Sequence, residues 1–472
     1  MNTRFSTFAC CFAIFFLSIS AHAETSIPSI IGENMVLQRN QPIVIWGWDE
    51  AGQKVDVSVA GHSAQATTDS DGQWIVSLEK LAAGGPHTIA IKGSSELSLK
   101  NVLVGEVWLC SGQSNMEWTV SRSDNAQQEI ASSTHPSIRH IKFPHRPSAK
   151  PEDNIMSSGW QESEPKTVGA FTAVGYFFAR HLQVELDIPI GLIGSNWGGT
   201  RIEPWTSPSG FKSVPALKSI ADNLADFPAV NPKGQVNHQS ALALYNGMIH
   251  NFRHFNFQGA IWYQGESNRG DGMMYYEKKR ALVNGWRDVF SNPDMPFLFV
   301  QLAPYTYGGS VTALPEIWEA QTAALQIKNT GMAVTVDIGN IKNIHPSNKQ
   351  DVGKRLALWA LANTYGEKGL VYSGPLYKSH KTVGDKITIS FNHVGDGLIA
   401  RDGKSLSHFQ VAGADKAFVA ATAVVTGDTV VVSSPLVKAP VAVRYAWHQL
   451  AEPNLSNKNG LPASPFRTDN WK

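Results

Sequence analysis

Between residues 24 and 103, apolar and polar positions alternate with period two. Val55, Val57 and Val59 are separated by Asp56 and Ser58, and Trp74, Val76 and Leu78 by Ile75 and Ser77. Ile89 and Ile91 flank Ala90. Such alternation predicts half-buried strands. Asp71-Gly72 and Gly84-Gly85-Pro86 are turn signals between them. The pattern predicts a small antiparallel β domain of sandwich type over 24–103.

From residue 104 the period changes. Val104–Cys110 is an apolar run ending in Ser-Gly-Gln-Ser. Phe171, Val174, Phe178 and Leu182 fall on one face of a helix. Further strands are expected at Ile188–Ile193, Gly259–Tyr263, Pro296–Leu302 and Met332–Ile338. Helices are expected at Tyr275–Phe290, Leu314–Leu325 and Lys349–Leu361, the last with Val352, Leu356 and Trp359 on its apolar face. Strands alternating with helices over 104–365 predict a parallel sheet covered on both faces. Beyond 366 period-two alternation returns, in Ile387, Ile389 and Phe391 and in Val441, Val443, Tyr445 and Trp447. A second β region is expected over 366–472.

The N-terminus adds an address. Arg4, the apolar run Phe8–Ile19 and Ala21-His22-Ala23 form the charged, apolar and small-residue parts of a secretory signal. The run is short for a membrane span of about 20 residues. Cleavage is expected after Ala23, giving export to a periplasm or the medium. Of three cysteines, Cys10 and Cys11 leave with the signal, and Cys110 has no intramolecular partner. Removing Arg4 takes 40 basic residues to 39 against 39 acidic. That balance argues against a dedicated nucleic-acid binder and against electrostatic docking on anionic membranes. Fourteen tryptophans are core, or platforms for sugar rings.

In an open parallel sheet, ligands bind at the carboxyl ends of the strands. Four such ends carry polar residues. Ser114, in Ser111-Gly112-Gln113-Ser114, is placed as a nucleophile at a helix start, or as an ordinary N-cap. Gly198 and Gly199 allow close approach to a ligand, or make a tight turn. Gln264, in Trp262-Tyr263-Gln264-Gly265-Glu266-Ser267-Asn268, offers a side-chain amide to an oxyanion, and Glu266 can orient neighbours. His345 sits in a strand-to-helix loop, within reach of a neighbouring strand end. Together these are the parts of an acyl-transfer site. His345 would take the Ser114 proton. The Ser114 N–H, a glycine N–H at Gly198 or Gly199, and Gln264 would hold the oxyanion.

These blocks resemble the SGNH (GDSL-like) hydrolases, and more closely the sialate O-acetylesterase family. The resemblance rests on Met35-Val36-Leu37-Gln38 with Trp46-Gly47-Trp48, on Gly105–Met116, on Gly198-Gly199-Thr200 through Trp205 and on Trp262–Asn268. It continues through Ile344-His345-Pro346 with Lys349 and Val352–Leu356, and Gly460–Arg467. It implies a flavodoxin-like α/β/α sandwich flanked by N-terminal and C-terminal β regions. It also implies hydrolysis of acetyl esters on sugars without metal or organic cofactor. Sialic acid, xylan and xyloglucan esters are the substrate alternatives. Gln113, Asn115, Trp118, Trp197, Arg201, Glu203, Trp205 and Asn268 are candidate substrate contacts, with Trp262 a further sugar-facing wall.

One position departs from the family. Asp usually stands two residues before the histidine, where this chain has Asn343. Three readings follow: a Ser–His dyad oriented by Asn343 or a backbone carbonyl, a substitute acid such as Asp337 or Glu266, or a weakened, carbohydrate-binding pseudo-esterase.

Overall fold

The computed structural model describes residues 24–471. The proposed signal lies outside the described residues. Its central feature is one strand, Glu96–Gly112, that serves two sheets. Its first half pairs antiparallel with Gly84–Lys92, which pairs with Lys54–Val59 and through it with His62–Thr67. Ile43–Trp48 and Gln73–Leu78 form a separate antiparallel pair. Its second half is the middle of a sheet ordered Thr330–Ala333, Phe297–Val300, Gly259–Tyr263, Glu96–Gly112, Ile190–Asn196, His135–Lys142. Those six strands run parallel, and Gln161–Ser163 adds an antiparallel edge. The 103/104 boundary expected from sequence therefore falls inside a continuous strand.

Register shows which helix covers which face. Trp262 pairs with Ser111, so Trp108 and Cys110 point to the opposite face. Trp108 meets Phe178 of the Ala173–Leu186 helix at 5.0 Å between rings. Beside it, a Cβ on Gly175 would lie 2.8 Å from Cys110 Sγ. Trp262 instead meets Trp286 of the Met274–Val289 helix at 5.8 Å. Helices thus cover both faces, which is the α/β/α sandwich expected. Cys110 is wholly buried and unpaired, and acts as a small hydrophobe.

Beyond the sandwich, Leu376–Val383, Lys386–Asn392, Thr429–Ser433 and Thr422–Thr426 form one antiparallel sheet. Phe409–Ala412, Ala442–Tyr445, Phe466–Arg467 and Val419–Ala420 form another. The expected strand through Trp447 ends at Tyr445, because Ala446 turns into the left-handed region at φ 53°. The tail then returns to the parallel sheet: Gln301 Nε2 donates to Ser464 Oγ at 2.9 Å, and Arg467 pairs with Glu319 at 2.8 Å.

One buried group works against stability. Lys279, on the inward face of Met274–Val289, is fully buried. Its ammonium has no hydrogen-bond partner among the described residues and sits 3.6 Å over the Phe299 ring. Burial pushes its pKa well below the ordinary lysine value. The unfolded chain then binds more protons than the folded one between that depressed value and about 10.4, so stability rises with pH across this window. Lys279→Met should raise unfolding free energy by ~1–3 kcal/mol at pH 7. The gain should shrink as pH approaches about 10, and denaturant titrations at several pH values read both.

Candidate active site

The carboxyl ends of three adjacent strands are in register: Tyr263 opposes Gly112, and Asn196 opposes it from the other side. Gly112 has φ 130°, and a Cβ there would lie 2.3 Å from the Tyr263 carbonyl oxygen. Only glycine permits that approach. The chain then turns through extended Gln113 into a short helix, Ser114–Glu117. Ser114 opens the helix, so its N–H has no intrahelical acceptor.

His345 reaches this serine from the loop before the Lys349–Asn363 helix. Its Nε2 lies 2.8 Å from Ser114 Oγ. The imidazole stacks on Trp118, at 5.0 Å and 20° between planes. Asn343 holds the backbone, its Oδ1 accepting from the His345 N–H at 3.0 Å, and makes no hydrogen bond to the ring among the described residues. Among the described residues no carboxylate lies within ion-pair distance of His345. Asp337 pairs bidentately with Arg355, at 2.7 Å to each oxygen. Glu266 accepts from Asn115 Nδ2 at 2.7 Å. Neither suggested substitute acid sits on the histidine. Burial first, then the charges of Lys349 and Arg122, hold the His345 pKa below the ordinary imidazole value.

Beneath the pair lies a polar cluster centred on Asn115, which is 1% exposed. Its amide donates to Glu266 and, at 3.0 Å, to the carbonyl of Ile344, the residue before the histidine. Its Oδ1 accepts from Lys349 Nζ at 2.6 Å. Burial pulls the Lys349 ammonium down to about 7 and raises the Glu266 carboxyl above its ordinary value. Asn115 is thus a brace between the serine and histidine loops. It is enclosed there, which removes it from the expected substrate contacts.

Other expectations are corrected by the partners the fold supplies. Gln264 is fully buried, with its amide donating to Thr200 O and Asn268 Oδ1 and its Oε1 accepting from Tyr275. Both amide hydrogens are occupied, so Gln264 braces the loops and does not face an oxyanion. Asn268 is fully buried and occupied by Glu203 and Asp271. Arg201 is paired with Glu203 and Asp271, which also bind Lys278. This closed, charge-balanced set leaves neither Arg201 nor Glu203 as a free substrate contact. Trp205 and Trp262 are fully buried core. Gln113 is 3% exposed and accepts from the Gly265 N–H at 3.4 Å.

Gly198 packs against the serine, where a Cβ would lie 3.2 Å from Ser114 Cβ. Its N–H is held by Glu117 Oε2 at 2.8 Å. The Gly199 N–H has no partner among the described residues. The open donors of the two loops are therefore the Ser114 N–H and that of Gly199, the residue after Gly198. Trp118 and Trp197 remain half-exposed. Trp197 is sandwiched between His145, at 4.5 Å, and His238, at 4.7 Å.

Two participants carry no signal in isolated motifs. Glu117, three residues after the serine, binds His145 at 2.7 Å as well as Gly198. Arg122, an exposed residue, lays its guanidinium 5.5 Å over the Trp118 ring and has no ion pair among the described residues. Among the described residues no cluster of His, Cys, Asp and Glu forms a metal site, and no helix is long and apolar enough to cross a membrane.

The chain as a whole is similar to known proteins. Residues 104–362 match the model of a carbohydrate esterase family described as sialic acid-specific acetylesterase. A mouse sialate O-acetylesterase is 32% identical over 422 residues, covering 77% of each chain. The human protein of that name is 34% identical over 392 residues, covering 74% of this chain and 72% of its own. The crystal structure of a carbohydrate acetylesterase from Xanthomonas citri superposes with a TM-score of 0.88 at 39% identity, covering 95% of this chain and all of that one.

The charges around His345 make a prediction. In an NMR titration its imidazole should titrate below about 6.5. Arg122→Gln removes one opposing charge from an exposed position and should move that midpoint up by ~0.2–0.5 units at low salt. No upward movement would mean that Arg122 does not act on the ring.

Proposed function

The chain belongs to the carbohydrate esterase family of sialic acid-specific acetylesterases, and on that premise we propose that it removes acetyl groups from sugars through a Ser114–His345 dyad, as an exported enzyme cleaved after Ala23. It is a carboxylic ester hydrolase, as its relatives are. The observation that carries the mechanistic reading is the 2.8 Å contact between His345 Nε2 and Ser114 Oγ.

His345 takes the serine proton as Oγ attacks the acetyl carbonyl. The oxyanion accepts from the N–H groups of Ser114 and Gly199, each such donor worth about 3 kcal/mol in the transition state. The imidazolium then protonates the departing sugar oxygen as its bond to the acetyl carbon breaks, so that the sugar leaves as an alcohol. Water, activated by the same ring, releases acetate and restores the serine. In a triad a carboxylate fixes the tautomer and stabilises the imidazolium. Here stacking on Trp118 and the Asn343 hold on the loop supply the orientation, and no carboxylate supplies the charge.

For the sugar, one observation favours an anionic substrate over neutral hemicellulose esters. Arg122, a cation with no ion pair among the described residues, is three contacts from the serine: its own on the Trp118 ring, the stack of Trp118 on His345, and the hydrogen bond of His345 to Ser114. A carboxylate on the substrate would satisfy it.

Ser114→Ala should lower acetate release from an aryl acetate by at least ~10³-fold, and equal rates in variant and wild type would sink the esterase reading. Asn343→Asp should change kcat by less than ~3-fold, because the new carboxylate stays on the backbone N–H; a gain of ~10-fold or more, about 1.4 kcal/mol, would replace the dyad by a weakened triad. Arg122→Gln should lower kcat/KM for O-acetylated sialic acid by ~10-fold, the loss of one exposed charge-assisted pair, while leaving acetylated xylan within ~2-fold. Equal losses on both substrates would remove the preference for an acidic sugar.

A further inference from the structure

The Trp46-Gly47-Trp48 motif takes no part in the Ser114 site. It lies in Ile43–Trp48, which pairs antiparallel with Gln73–Leu78 so that Trp46 opposes Ile75 and Trp48 opposes Gln73. Directly paired residues share a face. Ile45, Gly47, Trp74 and Val76 therefore point one way, into the core of the β domain, where Ile45 is fully buried. The middle glycine is explained by packing, since a Cβ on Gly47 would lie 2.0 Å from the Ser26 carbonyl oxygen. Its two neighbours are not explained in this way.

Val44, Trp46, Trp48, Ile75 and Gln73 occupy the outer face, where period two calls for polar residues. Gln73 and Ser77 obey. Trp48 is half-exposed and Ile75 is 49% exposed. Trp46, Trp48, Gln73 and Ile75 form one wall of an open cleft of about 280 Å³, which Trp74 also reaches and which Thr67, Asp69, Arg253 and His254 complete. Trp46 meets His254 edge-on at 5.5 Å. Trp46 and Trp74, both more than nine-tenths buried, keep indole N–H groups without a partner among the described residues.

The charges of the cleft are already settled. Arg253 is paired with Asp153 at 2.7 Å. Burial lowers the His254 pKa, which keeps the ring neutral at pH 7. Asp69 holds the backbone N–H groups of Asp71 and Gln73. An anionic ligand finds no free cation here. A flat apolar wall rimmed by an amide, a carboxylate and a neutral imidazole suits a ring with an apolar C–H face and hydroxyl edges.

We propose that this cleft is a second carbohydrate-binding site, taking a neutral pyranose ring of a glycan chain. It shares no residue with the Ser114 site and does not depend on the assignment of the nucleophile. A chain held there stays on the molecule between encounters with the Ser114 site, which raises the effective concentration of its acetyl groups.

The test is native affinity electrophoresis of the full chain through gels containing deacetylated xyloglucan or soluble arabinoxylan. At least one polymer should retard the wild type. Trp48→Ala and Ile75→Ser should each weaken retardation by ~10-fold, the worth of one lost stacking contact, while the thermal midpoint stays within a few degrees of wild type and aryl acetate turnover within ~2-fold. Three results would overturn the proposal: no retardation of the wild type by either polymer, retention of full retardation in Trp48→Ala, or loss of retardation in Trp118→Ala alone, which would assign the binding to the Ser114 site. A wild-type dimer in sedimentation that Ile75→Ser dissociates would equally overturn it, making the outer face a self-interface.

Discussion

The pairing of one long strand with two sheets governs the molecule. Glu96–Gly112 is an edge of the β domain over its first half and the centre of the parallel sheet over its second. Val36–Gln38 joins it in parallel at Leu103–Gly105, where the two parts meet. Gln38 Nε2 and Arg39 Nε both bind Glu106 there, at 3.0 and 2.5 Å. A domain joined through a continuous hydrogen-bonded strand cannot swing as one joined by a linker can. The strand ends where Gly112 abuts the Tyr263 carbonyl, and that contact aims the next turn. The position of Ser114 thus follows from backbone packing before any side chain of the site is considered.

Asn115 converts this placement into a geometry. Its amide ties the residue before the histidine to the residue after the serine, and buried Lys349 and Glu266 hold it from either end. Opposite charges in a low dielectric attract strongly, yet desolvation opposes their burial. An amide between them gives each a hydrogen bond without direct contact. The shifted pKa values of both groups reflect this compromise. Such a brace restricts the distance between the serine and histidine loops, which on the proposed mechanism matters because a misplacement of about 1 Å costs on the order of 100-fold in rate.

Periodicity made much of this readable in the chain. Gly259–Tyr263 is a strand over the whole predicted range, and the helix after His345 starts at Lys349 as expected. Serine and histidine at strand ends were legible because strand order brings those ends together. What escaped was the choice of polar partners. Gln264 and Ser114 both follow apolar strands, but Tyr275 closes over Gln264 from the next helix. Arg201 looks available until Asp271, 70 residues away, folds beside it. Trp205 and Trp262 adjoin catalytic blocks yet face the core, because adjacency in sequence says nothing about which side of a sheet a residue takes. The absence of aspartate at 343 is visible in the chain. That Asp337 and Glu266 are held elsewhere is visible only in three dimensions.

On the proposed mechanism, a dyad without an acid must tolerate an imidazolium that no protein carboxylate supports. During acyl transfer the oxyanion forms as the imidazolium does, so the two charges stabilise each other across the serine oxygen. The proteins that surround such a ring can oppose it with nearby cations, and here Lys349 and Arg122 do so. Lys349, held near 7, loses its charge as pH rises through neutrality. Both titrations then run in the same direction: higher pH frees the His345 lone pair and removes one cation that disfavours the charged ring. The two groups are coupled, so the rise in activity belongs to the pair and is broader than a single ionisation. Arg122 is the second of these cations. Only an anion can neutralise it, and a substrate carboxylate placed there would relieve the remaining opposition to the imidazolium while it fixed the sugar. On the proposed mechanism, substrate recognition and support of the base therefore meet at one residue, in the absence of the usual aspartate.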